Sequence, residues 1–381
     1  MYSIGSAPVV PKVKVMHFVT GGFSGGATQV AISLVRAALP SEHINPILVL
    51  RKKRRGDPAR ITELQQQGIP FAVVPGWNKI ATILALVKLC KQVQPDVLVA
   101  HGFSEHLWGR YAGLLAKVPV LVHVEHNTKE RYNRWRLAQS RWLSLRTAAI
   151  IGCSEGVKAV LLAQGMPAER CHAISNGINT APFRAAVPPL AERSPNIVMV
   201  SRFSKQKNHA TLLQALSLLK QQGLTPKLLL AGGGKSLHRK PLEKLAVTLG
   251  IAEQVQFLGV VRNVPELLQQ NQLAVLSSHY EGMPLALLEG MAAGCIAIGS
   301  AVPGIQEVLH EGEDGFLVAE NDACALAERI KYCLQHSAQL QSVADAGRAR
   351  ALTEFSRERM NQQYEALFMK LVRPEHGSKG A

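Results

Sequence analysis

Aromatic residues make up only 5% of this 381-residue chain, and charged residues 18%. The six cysteines (Cys90, Cys153, Cys171, Cys295, Cys324 and Cys333) form no CxxC pair. That spacing removes a zinc ribbon and a disulfide framework, and it fits a reducing cytoplasm. No apolar run approaches the roughly 20 residues that cross a bilayer; the stretch from Ile80 to Cys90 is interrupted by Lys88. The opening "MYSIGSAPVVPKVKVMHFV" lacks a basic segment followed by a long apolar core, so no secretory signal is expected. Acid is the other shortage, and it is local. Residues 1–180 carry 22 Lys and Arg against 9 Asp and Glu, whereas residues 181–381 carry 21 against 18.

A chain with 47% hydrophobic residues and this length is globular and long enough for two sizeable cores. Most of its net charge of +16 sits in the first half. That half therefore faces something anionic: a phosphate-rich ligand, a membrane surface or nucleic acid.

Apolar runs alternate with amphipathic segments. "VKVMHFV", "INPILVL", "FAVVP", "DVLVA", "VLVHVEH" and "AAIIGCS" read as buried strands of a first parallel sheet. After a Pro- and Ala-rich stretch the pattern restarts with "NIVMVS", "KLLLAGG", "VQFLG", "LAVLSS", "CIAIGS" and "GFLV". The expected organisation is α/β: two doubly wound, Rossmann-like domains facing a central cleft. The first covers 1–178, a linker 179–195, the second 196–355, a C-terminal helix returning to the first domain 356–373, and a tail 374–381. On such sheets ligands sit at the carboxyl ends of strands, so residues just after strands carry the search for a site.

Three stretches stand there. "VTGGFSGGATQV" places Gly21, Gly22, Gly25 and Gly26 between a strand and a helix, where the backbone can approach a phosphate. The spacing matches neither a dinucleotide fingerprint nor a P-loop, and a plain turn is the alternative. "VSRFSKQKNHATLL" puts Arg202 and Lys207 after a strand, a fork and a point charge that suit a pyrophosphate or make an ordinary solvated loop. "SSHYEGMPLALLEGMAAG" sets Glu281 at the mouth of an apolar helix and Glu289 two turns inside it. Backbone N–H groups of residues 282 to 285 would point out of that helix start. Eight helical residues rise about 12 Å, more than the roughly 5–9.5 Å between paired glycosidase carboxylates. A long ligand bracketed by two acceptors fits better than an acid/base pair, with both carboxylates buried and satisfied by its hydroxyls.

In that order "SRFSKQKNHATLLQAL", "LAGGGK", "YEGMPLALLEGMAAG" and "AVPGIQEVL", with "ISNGIN" before the linker, resemble the signatures of the retaining GT-B glycosyltransferases (glycosyltransferase group 1, family 4) that build lipopolysaccharide, capsule and mannosyl-lipids. The likeness runs from about residue 13 to 373. It implies that Arg202 and Lys207 neutralise the diphosphate of a nucleotide-sugar donor and that Glu289 holds its ribose. Glu281, with Gly282, Met283, Pro284 and Leu285, would line the sugar pocket, and Gly22 would approach from the opposite domain. His126 matches the family's histidine near the reacting sugar, with His101 in "VAHGF" as competitor; His126 and Glu281 are the expected catalytic pair. The resemblance implies no cofactor and no metal, and no Asp-x-Asp motif is present. Asn263 and the "AGGGK" loop depart from relatives that carry acids there, which leaves the donor base harder to infer.

"KERYNRWRLAQSRWLSLR" interleaves Arg131, Arg134, Arg136, Arg141 and Arg146 with Trp135 and Trp142, and "RKKRR" at 51–55 adds five cations. A basic helix with tryptophans suits an anionic bilayer surface; a solvated helix face is the plainer alternative. A lipid-linked or polysaccharide acceptor at the inner face of the plasma membrane is expected, with no nucleic-acid partner. Two other functions keep a place: a nucleotide-sugar epimerase on the same scaffold, and a basic nucleic-acid-binding protein, although no RRM, KH, HTH or zinc-finger pattern appears.

Overall fold

The computed structural model describes residues 11–21, 26–52, 58–129 and 132–373. Gly22, Arg131 and the last three cations of "RKKRR" therefore lie outside the described residues.

Seven strands form the first sheet: β1 (Val13–Thr20), β2 (Ile44–Arg51), β3 (Phe71–Val74), β4 (Val97–His101), β5 (Val120–Glu125), β6 (Ala149–Gly152) and β7 (Cys171–Ala173). All pair in parallel, in the order β3-β2-β1-β4-β5-β6-β7. The connecting helices are α1 (Gly26–Ala38), α2 (Pro58–Gln66), α3 (Lys79–Val93), α4 (Phe103–Leu115), α5 (Arg134–Ser144) and α6 (Glu155–Ala163). Strands such as β4 and β5 are buried at every position, as a sheet covered on both faces requires. Strand β7 was not anticipated: at three residues it is too short to show an apolar period.

The second sheet has six parallel strands: β8 (Ser194–Val200), β9 (Leu228–Ala231), β10 (Val255–Gly259), β11 (Asn271–Leu276), β12 (Ile296–Ser300) and β13 (Phe316–Val318), in the order β10-β9-β8-β11-β12-β13. Its helices are α7 (His209–Gln221), α8 (Ser236–Thr248), α9 (Val264–Gln269), α10 (Leu285–Ala292), α11 (Pro303–Gln306), α12 (Ala323–Gln335) and α13 (Gln341–Glu354). A last helix, α14 (Arg357–Val372), leaves this sheet and lays Met360, Tyr364 and Phe368 into the core beneath β1 and α1.

The crossing between the sheets is packed. Phe183 and Leu190 are buried on single 3₁₀ turns, Ile178 bridges to Ser356, and β8 begins at Ser194. In each sheet the chain order reverses beside the first strand, between β1 and β4 and between β8 and β11. Those two switch points open crevices toward one another, and the cleft lies there.

Candidate active site

A cavity of about 460 Å³ separates the carboxyl ends of the two sheets. From the second sheet it is lined by Ser201 and Arg202 after β8, Gly232 after β9, and the segment from Glu281 to Leu285 that leads into α10. From the first it is lined by Gly26 and Gln29 of α1, His126 and Asn127 after β5, and Asn176.

Hydrogen bonds fix the second-sheet rim. The turn that carries Lys207 is tied to the loop carrying Glu281: His279 N–H donates to the Gln206 carbonyl at 2.8 Å, and Gln206 Nε2 donates to the Tyr280 carbonyl at 2.8 Å. Asn208 takes a left-handed conformation (φ 45°) to turn the chain from there into α7. Lys207 Nζ pairs with Glu281 Oε1, both side chains largely buried. So one cation and one acid that the sequence assigned to different parts of a ligand neutralise each other here. Arg202 is exposed on the cavity wall.

The expectation of two buried carboxylates needs correction. Glu281 is buried, and its partner is Lys207 rather than a ligand alone. Glu289 is only half-buried, because the cavity and a smaller one behind it both reach its side chain. Among the described residues its carboxylate has no hydrogen-bond or ion-pair partner, and burial pushes its pKa up to about 7. A carboxyl surrounded by protein yet open to a cavity is the feature a ligand hydroxyl would satisfy.

The two rims touch. A Cβ on Gly282 would lie 2.1 Å from the His126 carbonyl, so only glycine lets these loops meet. Thr128 Oγ1 donates to the Glu281 carbonyl at 3.2 Å. Farther out, the Glu307 carboxylate accepts from the N–H groups of Glu155 and Gly156 at 2.9 and 3.1 Å. An acid from the second sheet thereby caps the start of α6 in the first, where the helix dipole favours negative charge.

His126 and His101, rivals in the sequence, are in contact: His126 Nε2 lies 3.3 Å from His101 Nδ1. His101 in turn lies 3.0 Å from His17, a residue that gave no signal because it sits inside an ordinary apolar strand. Burial lowers the pKa of His126 to about 4 and that of His17 to about 3. His101 is held well below the usual range by burial and by its histidine neighbours. All three are neutral at pH 7.

A second buried cluster lies behind the His126 loop. Ligand atoms of His106, His123 and Glu125 fall within 4.8 Å of one another, a spacing that a metal ion could use. The hydrogen bonds argue otherwise. Arg110, fully buried, donates from Nη2 to His106 Nδ1 at 2.7 Å. The proton of neutral His106 is then on Nε2, which donates to Tyr132 Oη at 2.6 Å. His106 has no lone pair left for a cation, and the guanidinium charge repels one. The network instead ties α4 to Ser140 of α5 and to Thr147 in the turn beyond it. Beside it, Glu125 Oε1 accepts from the His126 N–H at 2.8 Å.

The basic helix does not line the cavity. On α5, Arg134, Trp135, Arg136, Arg141 and Trp142 are all exposed, Trp135 by 73%. Arg141 Nε donates to the Gln164 carbonyl at 2.7 Å. The sequence reading did not single out Asn127, Asn176, Ser201 and Gly232, although Ser201, Gly232 and Asn176 lie in the quoted segments "SRFSKQKNHATLLQAL", "LAGGGK" and "ISNGIN", and Asn127, Ser201 and Gly232 follow strands.

Two parallel sheets facing each other across a cleft at their carboxyl edges define the GT-B class of fold, the architecture of nucleotide-dependent sugar transferases. Comparison with known proteins agrees. A model described as glycosyltransferase family 4 matches residues 24–182, and one described as glycosyl transferases group 1 matches residues 183–350. The EpsD protein of Bacillus subtilis (strain 168) is 30% identical over 285 residues, 67% of this chain and 73% of that protein. The UDP-Gal:α-D-GlcNAc-diphosphoundecaprenol α-1,3-galactosyltransferase of Escherichia coli is 23% identical over 336 residues, 82% of this chain and 85% of its own length. Anabaena HepE, solved with UDP-glucose, superposes with a TM-score of 0.82 at 22% identity, over 93% of this chain and 99% of that one. The chain belongs to the group 1 glycosyltransferase family, and it is a glycosyltransferase of GT-B fold.

Proposed function

We propose that this enzyme is a retaining, metal-independent hexosyltransferase that uses a nucleoside-diphosphate sugar, UDP-linked, and a lipid-linked or polysaccharide acceptor in cell-surface glycan assembly. The observation that carries the reading is Glu289, an unpartnered carboxyl on α10, in one cavity with Arg202, Lys207 and the start of that helix. Ribose hydroxyls supply the donors that Glu289 lacks. The diphosphate takes the charge of Arg202 and shares Lys207 with Glu281. The sugar lies along Gly282, Met283, Pro284 and Leu285, where the N–H groups of Gly282 and Met283 are available; Pro284 has none, and Leu285 N–H donates to the Met283 carbonyl at 3.1 Å.

Chemistry in such a site is positioning plus neutralisation of the departing diphosphate. Arg202, with Lys207 shared between Glu281 and the diphosphate, serves that charge without a metal. A donor phosphate oxygen takes the acceptor proton on the same face that the leaving group vacates, which retains configuration. The supporting relatives are consistent: HepE is solved with UDP and with UDP-glucose, and the E. coli galactosyltransferase acts on a diphosphoundecaprenol-linked sugar.

For the acceptor side, the first half carries most of the chain's positive charge and α5 exposes its arginines and tryptophans. That combination favours peripheral binding to the anionic inner face of the plasma membrane. Among the described residues no helix is long and apolar enough to cross a membrane. The test of the donor assignment is Glu289→Gln, which should weaken nucleotide-sugar affinity about tenfold, the loss of one charge-assisted hydrogen bond. Equal affinity in calorimetry would remove Glu289 from the donor site.

A further inference from the structure

Three imidazoles run in line from the cleft into the first sheet, on the adjacent strands β5, β4 and β1. His126 follows β5, His101 ends β4 and His17 lies midway along β1. The contacts are His126 Nε2 to His101 Nδ1 at 3.3 Å and His101 Nε2 to His17 Nδ1 at 3.0 Å. Neighbouring rings are stacked, with interplanar angles of 21° and 29°.

A neutral imidazole has one donor nitrogen and one acceptor nitrogen. Both nitrogens of His101 are engaged, so it must donate to one neighbour and accept from the other. Only two proton orders satisfy both contacts. In the first, His17 Nδ1–H donates to His101, and His101 Nδ1–H donates to His126 Nε2; the proton of His126 is then on Nδ1. In the second every bond is reversed, and His126 Nδ1 is a bare lone pair. His126 Nδ1 is buried with no hydrogen-bond partner among the described residues, on a side chain that lines the cleft. Its proton position is therefore coupled, two rings away, to that of His17, which does not line the cleft.

We propose that His17 and His101 are positioning residues that lock His126 as its Nδ1–H tautomer, so that the cleft presents a hydrogen-bond donor to an oxygen of the transferred sugar or its phosphate. This rests on the donor-site reading above. Phosphate oxygens only accept, and a sugar-diphosphate offers more lone pairs than protons, so the first order is the one a ligand rewards. The same wall carries a complementary group: Asn176 Oδ1, also buried and unpartnered among the described residues, can accept from a hydroxyl. Packing alone gives no reason for three adjacent polar rings. A phenylalanine at position 17 would fill the same place against Phe368, whose ring centroid is 6.1 Å away.

The test is the tautomer itself. In protein labelled with ¹⁵N at histidine only, two-bond ¹H–¹⁵N spectra recorded with the nucleotide-sugar that calorimetry identifies should show His126 as the Nδ1–H form. His17→Phe removes the terminal donor, so His126 should populate both tautomers. With the donor that calorimetry identifies, kcat should fall about tenfold while donor affinity falls by less, since the departing charge strengthens that hydrogen bond in the transition state. His101→Gln, which can still accept and donate, should keep more turnover than His101→Leu and serves if His17→Phe does not fold. An Nε2–H tautomer in the wild-type complex, or a His126 tautomer that ignores substitution at both 17 and 101, overturns the proposal. So does a tautomer shift that leaves kcat unchanged. Because the spectra read binding and not turnover, failure of every nucleotide-sugar to bind would instead count against the donor-site reading.

Discussion

Acidification should unfold this protein early, and the histidines set how early. His17, His126 and His209 are held at about 3, about 4 and about 4 by burial, with Lys207 adding to the shift at His209. Each folded value lies below the unfolded value near 6.5, so the unfolded chain binds the proton better. The stabilisation is complete above about pH 6.5 and is lost as pH falls toward the folded values. Linkage gives a loss of about 2 kcal/mol per histidine between pH 7 and 5, hence about 6 kcal/mol for three. Glu289 acts oppositely: its carboxyl is raised to about 7, so the fold gains on protonating it, by at most about 2 kcal/mol over the same interval because the group is only half-buried. The histidines win by about 4 kcal/mol, and His101, His106 and His123, all lowered chiefly by burial, add to the same side. Against a typical stability of about 5–15 kcal/mol, that is a large fraction. Urea midpoints by circular dichroism at pH 7, 6 and 5 measure it. A midpoint at pH 5 equal to or above that at pH 7 would refute the burial of neutral histidines.

Gly282→Ala should drive the two rims apart, since its Cβ would meet the His126 carbonyl at 2.1 Å; small-angle scattering should report a larger radius of gyration and turnover should drop at least tenfold, and an unchanged radius would count against the contact. Replacing Arg134, Arg136 and Arg141 together should cut partition onto anionic liposomes and spare donor binding, because none of them lines the cavity. Undiminished partition would remove α5 as the membrane face.

The fold was legible because twelve of its strands stand out as apolar blocks between turn residues, the central ones buried on both faces and the edge strands β3 and β10 partly exposed. β7 escaped because three residues show no period. The cavity wall was legible where residue type and position coincide, after a strand for Arg202 and His126 and at a helix start for Lys207 and for Glu281 to Leu285. Partners were not. Nothing in the spacing of Lys207 and Glu281, 74 positions apart, announces an ion pair across two loops. The burial of Glu289 was overread from its apolar neighbours, since a helix wheel cannot show that a cavity opens beside one turn. His17 carries no local mark at all; its meaning comes from strand order, which places β1 beside β4.

The most direct test is calorimetric titration of the wild-type protein with UDP, GDP and ADP and their common sugar conjugates, in EDTA, beside Glu289→Gln. The account predicts that one nucleotide, UDP, binds selectively without metal and that the variant binds it about tenfold more weakly. No nucleotide affinity, or affinity that appears only with a divalent ion, would contradict it.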